Sequence, residues 1–325
     1  MTYPAINAWF DEYEKVLKKY DICPRLLFNY DETWLEGEQT KKKVAHKKGD
    51  GKQIREKQAD PKEHVTLGLF TNAVGDTLFW NKPLAIFPLV NVPVLGEEVL
   101  HMFNVAGSPE GWINGPILKT AIEKVFVEEL EAYRASLGLE NRYALIVMDN
   151  HSSRVRLDEK KLLEEHKLVI FYIPPHSSAL LQPLDLQPNG YFKREFFKCK
   201  QYYHREDLPE DSQEYRNNEM MAAKRALSVA LSEHVQKSGW ERTGLWPVDR
   251  HVALKSKMVK ADPSRLPAVP EGRKKRKLGP KFTDGTILVD GIDLTNADPV
   301  VLDEQQKKKP RTKNINKNQV DVDLT

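Results

Sequence analysis

"YALIVMD" (143–149) and "LVIFYIP" (168–174) are two apolar runs of strand length, the first closing on an aspartate and the second on a proline. Nearly every position in them is apolar, where a half-exposed strand would alternate. That is the mark of strands covered on both faces, as parallel strands in an α/β sheet are. Between them "RLDEKKLLEEHK" (156–167) reads as a short polar helix, so the segment makes one strand–helix–strand unit.

Working outward from that unit, the spacing upstream predicts a helix from about Pro116. Leu118, Ile122, Val125, Phe126, Leu130 and Tyr133 form its apolar stripe and Gly138 stops it. Earlier still, "HVTLGLFTNAVGDTLFWNKPLAIF" (64–87) reads as two strands around a turn at Gly75–Asp76. "CPRLLFNYDETW" (23–34) reads as a buried strand running into Asp31. "AINAWFDEYEKVLKKY" (5–20) sets Ile6, Trp9, Phe10, Tyr13, Val16 and Leu17 at helical spacing. Downstream, helices are expected from about Pro188 and over 217–236. The element order is that of an α/β protein with a mixed sheet, antiparallel first and parallel after.

Composition adds limits. Hydrophobic residues make up 40% of the 325 and charged ones 30%, and the mean hydropathy is -0.58, so part of the chain is expected to lie outside a core. No apolar run is long enough for a membrane span, and the N-terminus carries acids instead of a secretory signal. Cys23 and Cys199 lie far apart with no CxxC spacing, which offers neither a zinc cluster nor a disulfide framework and fits a reducing compartment. Net charge is only +3, but lysines crowd two regions, a polar stretch over 38–63 and the end of the chain.

Three aspartates fall where strands end. Asp31 closes the first strand, Asp149 closes the 143–149 strand, and Asp185 follows the next strand at the approach to a helix. Open α/β sheets place ligands at such carboxyl ends. Alone, each aspartate reads as a turn or capping residue. Converging, they would repel one another unless a divalent cation neutralised them, and hard oxygen ligands suit magnesium or manganese.

The words around these aspartates carry a resemblance. "NYDET" (29–33), "VMDNHSS" (147–153) and "PPHSSALLQPLD" (174–185) resemble the signature blocks of DDE-superfamily transposases of the pogo/Tigger type, relatives of the mariner transposases. "EGWINGPIL" (110–118) and "SGWERTGLWPVD" (238–249) resemble two further segments of that family, and the similarity runs from about residue 5 to 250. The resemblance implies an RNase H-like mixed sheet flanked by helices. It also implies that Asp31, Asp149 and Asp185 hold two Mg2+ (or Mn2+) ions, Asp31 bridging both. On that reading a water, and later a DNA 3′-hydroxyl, attacks a phosphodiester, and the chain cleaves and joins DNA as a transposase or endonuclease core. Arg154 and Ala179 stand where the family commonly carries histidine, and no room precedes the catalytic domain for helix-turn-helix domains. These departures keep an alternative, a domesticated transposase-derived DNA-binding or chromatin protein that does not cut.

The expected division is an N-terminal helix and linker over 1–24, the catalytic domain over 25–250, and a disordered basic tail over 251–325. For DNA contact the candidates are Lys41, Lys42, Lys43, Lys47 and Lys48 of the polar stretch, with His151, Arg154 and His176 beside the aspartates. His46, in the same stretch, reads as solvated, and Glu32 as a spare ligand that strand alternation turns to the other face. Arg273, Lys274, Lys275, Arg276 and Lys277 have the composition of a nuclear import signal, so a nuclear location is expected. The expected partners are DNA and a second copy of the chain. "ILVDGIDLT" (287–295) has the pattern of a strand that adds to a partner's sheet edge, a ubiquitin-like modifier for example.

Overall fold

A computed structural model describes residues 1–35, 64–76, 82–150, 157–203, 208–209 and 212–259, with the backbone of 287–289 and 292–293. Helix α1 (Tyr3–Lys19) starts where the Thr2 hydroxyl oxygen accepts the Ala5 amide, and it buries Ile6, Phe10 and Tyr13. Strand β1 (Leu27–Trp34) follows a 3-10 turn at Pro24–Leu26. Next come β2 (Thr66–Asn72), β3 (Leu84–Phe87), α2 (Glu97–Met102) and β4 (Asn104–Gly107). Helices α3 (Gly115–Thr120) and α4 (Val127–Leu137) are joined through a π-helical turn, Ala121–Phe126. Asn114 caps the start of this run on the Ile117 amide, and Gly138 ends it at φ 66°.

Strand β5 (Ala144–Asp149), helix α5 (Glu159–His166) and strand β6 (Leu168–Ile173) form the expected strand–helix–strand unit. The short helices α6 (Ser178–Leu181) and α7 (Pro183–Leu186) then lead into α8 (Pro188–Tyr203). The chain continues through α9 (Gln213–Ala230), α10 (Glu233–Thr243) and α11 (Arg250–Leu254), and the described residues close with β7 (Ile287–Val289) and β8 (Ile292–Asp293).

The strands pair in the order β6-β5-β1-β2-β3-β4-β7-β8. On one side of β1 lies an antiparallel meander, β1–β2–β3; on the other side β5 and β6 run parallel to it. This is the RNase H-like arrangement, extended at its meander edge by β4, which pairs parallel to β3. Strand alternation splits the core in two. Phe28, Tyr30, Phe70, Ile146 and Met148 face α3, the π-turn, α4 and α5. On the opposite face α8 and α9 cover β2, β3 and β4, while α1, α6, α10 and α11 cover β1, β5 and β6.

Several expectations need correction. The folded part does not stop at residue 250: Ala253, Leu254 and Val259, which fall in the expected tail, are buried with α1 and Trp240. Within the segment 287–295, β7 pairs antiparallel with the chain's own β4, Val105 opposite Leu288 and Ala106 opposite Ile287. Strand β4 otherwise ends the sheet, and its open edge is the nearest template for such a strand. The remainder of 260–325, Arg273–Lys277 included, lies outside the described residues. The helix expected over 217–236 is two helices, broken at Leu231–Ser232 where Ser232 turns extended. The strands on either side of Gly75 do pair antiparallel, but β3 starts only at Leu84 and the connection is no tight hairpin. Among the described residues, no helix is long and apolar enough to cross a membrane.

Candidate active site

Strands β1 and β5 are parallel neighbours with Tyr30 opposite Met148, so one step further Asp31 stands beside Asp149; Asp149 ends β5, whereas β1 runs on to Trp34 along β2, so Asp31 does not close its strand as expected. Both follow the face of Leu27, Asn29, Leu145 and Val147, opposite to Phe28 and Tyr30. Asp31 is partly buried, and so is Asp149.

The chain then leaves β6, next to β5 with Asp149 opposite Ile173, and has to return over the sheet end. Its turn runs through Pro174–Pro175, and His176 adopts the left-handed conformation at φ 62°. The Ser177 hydroxyl donates to the Pro174 carbonyl at 2.5 Å. One residue on, the Ser178 hydroxyl donates to Asp149 Oδ2 at 2.6 Å, which ties the returning loop to the second aspartate.

Two buried amides then fix the loop on the sheet. Gln182 and Asn29 are both fully shielded from solvent. Gln182 Nε2 donates to the Tyr30 carbonyl at 2.8 Å. Asn29 Nδ2 donates to the Val147 carbonyl at 2.8 Å and to Gln182 Oε1 at 3.0 Å, and Asn29 Oδ1 accepts the Leu184 amide at 3.0 Å. This clasp holds β1, β5 and the start of α7 in one geometry, with few of its polar atoms left over. It places Asp185 on the last turn before α8, exposed at the rim above Asp31.

Asn189, in the first turn of α8, spans the two carboxylates. Its Nδ2 donates to Asp185 Oδ1 at 3.1 Å and to Asp31 Oδ2 at 3.3 Å, and the residue is 6% exposed. Burial pushes the Asp31 carboxyl well above the usual carboxylate range, and the charges of Asp185 and Glu32 push it further, while a hydrogen bond from Gln182 pulls it down. Glu32 lies on the other face of β1, where it faces the Tyr30 hydroxyl, so it is not a companion of Asp31 in the site.

Of the sequence-derived candidates, Asp31 and Asp185 are brought together, and Asp149 stands at the adjacent strand end with Ser178. Among the described residues no three His, Cys, Asp or Glu side chains are grouped closely enough to share an ion. His176 is exposed on the turn. Lys41, Lys42, Lys43, His46, Lys47, Lys48, His151 and Arg154 lie outside the described residues. The sequence reading missed Asn29, Gln182 and Asn189. The one signal available was spacing: Asn189 sits four residues beyond Asp185, one helical turn away.

The donor set suits a hard divalent cation. Two like charges share one amide, and the buried Asn189 Oδ1 has no hydrogen-bond partner among the described residues. An ion there would remove the repulsion from Asp185 that, after burial, raises the Asp31 pKa.

Residues 101–240 match the family model described as DDE superfamily endonuclease. That match takes in Asp149, Asp185 and Asn189, and it covers less than half of the chain. A curated relative, the MFS-type transporter clz9 of Cochliobolus lunatus, is 27% identical over 189 residues, which is 56% of this chain and 19% of the relative. The chain thus spans about a fifth of that relative's length. Among solved structures, the Mos1 mariner paired end complex with Mn is similar at 13% identity and a TM-score of 0.42, over 79% of this chain and 64% of that one. The Mos1 transposase catalytic domain solved with Raltegravir and Mn is similar at 11% identity and a TM-score of 0.38, over 77% and 97% of the two chains.

Proposed function

We propose that this chain is the catalytic core of a metal-dependent DNA transposase or endonuclease of the pogo/Tigger type, with Asp31, Asp149 and Asp185 as its metal-binding triad. The observation that carries the reading is the meeting of Asp31 and Asp185 on one buried amide, beside the strand end that bears Asp149. The endonuclease family match over 101–240 supports the same chemistry.

Each residue has a part in this reading. Asp31, on the central strand, shares the Asn189 amide with Asp185 and neighbours the strand that bears Asp149, and with them would hold Mg2+ or Mn2+. Asp185 supplies an exposed carboxylate at the rim, where a DNA strand can approach. Ser178 orients Asp149 through its hydroxyl. The Asn29–Gln182 clasp keeps the spacing of the carboxylates fixed, so that little reorganisation accompanies the reaction. Divalent ions, when bound, would supply activation of the attacking hydroxyl and stabilisation of the leaving oxygen. DNA as substrate, two copies of the chain acting together and a nuclear location belong to the same proposal.

A non-cutting DNA-binding protein on this fold is the second reading, favoured by the absence among the described residues of three grouped acids. Incubation with supercoiled plasmid and Mg2+ or Mn2+ separates the two. Nicking by the wild type that disappears in Asp31→Asn and Asp149→Asn is the expected result. Inert protein that still retards DNA at low salt would favour the second reading.

A further inference from the structure

Asn189 is unusual in its hydrogen bonding. A carboxamide offers two N–H donors and one oxygen acceptor. Here the Nδ2 serves both Asp185 and Asp31, at 3.1 and 3.3 Å, while the buried Oδ1 has no hydrogen-bond partner among the described residues. That leaves a carbonyl oxygen stranded in a position with 6% exposure, an arrangement that buried polar groups rarely keep without a reason. The side chain is also well placed to turn, because the terminal torsion of asparagine has a broad, two-fold preference. Turning it by half a revolution exchanges the N–H group for Oδ1 between the same two carboxylates.

We propose that Asn189 is a ligand of the divalent ion held by Asp31 and Asp185. In the free protein its amide N–H group occupies the place of the cation and damps the repulsion between the carboxylates. On ion binding the amide turns and presents Oδ1 as a neutral oxygen ligand, a donor type common to Mg2+, Mn2+ and Ca2+ sites. Position favours this assignment: Asn189 follows Asp185 by one turn, and α7 and α8 present both to Asp31. The inference rests on the metal-site reading above and adds a ligand to it.

The test is Mn2+ binding to the purified chain by calorimetry, with Eu3+ luminescence lifetimes in H2O and D2O to count coordinated waters. The set comprises wild type, Asn189→Ala, Asn189→Asp and Asp31→Asn, each checked for folding by circular dichroism. Asn189→Ala is expected to weaken Mn2+ binding by about 10-fold, the scale of losses around metal sites. It should also raise the Eu3+ hydration number by about one, because water refills the vacated position. Asn189→Asp should tighten Mn2+ binding and leave the hydration number at the wild-type value. A residue that only clamped the carboxylates through its N–H groups would behave differently: the aspartate variant would bind no better than the alanine one, and hydration would not change. That outcome overturns the proposal. If Asn189→Ala does not fold, Asn189→Asp decides alone, with weaker binding than wild type counting against the ligand role. Wild-type affinity in Asn189→Ala together with loss in Asp31→Asn would remove Asn189 and leave the metal-site reading standing. No Mn2+ binding by the wild type would remove both.

Discussion

Asp31 is held where its ionised form is costly. Burial within β1, and then the carboxylates of Asp185 and Glu32, raise its pKa well above the usual range. The native state therefore binds the Asp31 proton more tightly than the unfolded chain does. The stabilisation this gives is complete below the ordinary aspartate value of about 3.9, and it is lost as the pH rises through the raised native value. Asp31→Asn removes the ionisation, so the variant should lack this part of the pH dependence. In EDTA at pH values above the native pKa, it should melt about 2–4 °C above wild type, the effect of about 1 kcal/mol in a domain of this size. Saturating Mn2+ should raise the melting temperature of the wild type and not of the variant. Scanning calorimetry with and without Mn2+ reads both, and a variant that melts lower in EDTA would show that Asp31 is not under strain. The aspartate itself was legible in the sequence, since a carboxylate closing an apolar run is visible. Its partner Asn189 was not, because an asparagine near a helix start usually reads as a cap.

At the scale of elements, the buried strands were the easiest part to read. Ala144–Met148 of β5 are buried at every position, whereas β6, at the sheet edge, buries only Leu168 and Ile173 and leaves Val169–Tyr172 partly exposed, so its apolar run overstated its cover. The clasp that sets their ends against α7 could not be read, because Asn29 and Gln182 are 153 residues apart and each alone is an ordinary polar residue. Its contribution can be measured. Gln182→Ala strips a donor from the buried Tyr30 carbonyl and an acceptor from Asn29, at a cost of about 1–3 kcal/mol for groups left unpaired. Chemical denaturation should show that loss, and Mn2+ affinity should fall with it because Asp185 loses its anchor. Unchanged Mn2+ affinity in a destabilised Gln182→Ala would confine the clasp to a structural role. The break between α9 and α10 was missed for a similar reason: Ser232 becomes a helix cap only in its context. That break brings Glu233 against the turn after β2, where a Cβ on Gly75 would lie 2.5 Å from the Glu233 carbonyl oxygen. Gly75→Ala should cost about 2 kcal/mol or more, from the left-handed backbone and the contact together. Gly138→Ala has the same backbone sign with nothing within 4 Å of the new Cβ, so its cost should stay near about 1 kcal/mol. Equal losses in the two variants would argue against the close approach of α10.

For the molecule as a whole, sequence reading placed the end of the domain too early. The side chains that dock after residue 250 are too few to show in the sequence: Ala253, Leu254 and Val259 join α1, Trp240 and Leu245 in one cluster. Arg250 adds ion pairs to Asp11 and Glu14 of α1, each at 2.6 Å. Those pairs are solvent-facing and contribute little, so the apolar contacts carry the closure between the first and last helices. A chain ended after Val259 keeps them, whereas one ended after Asp249 loses them. Burial of Leu254 and Val259 contributes about 1.5–3 kcal/mol each, which sets the expected penalty of the shorter chain at about 3 kcal/mol or more. Removing 260–325 takes away β7 and β8, strands of three and two residues, which are too short to stabilise the sheet much. The chain ended after Val259 should therefore melt close to the full chain, and the one ended after Asp249 should melt well below both. Should the cut after Val259 prove as damaging as the cut after Asp249, the pairing of β7 with β4 would be the stronger support of that sheet edge, and the domain would extend to residue 293.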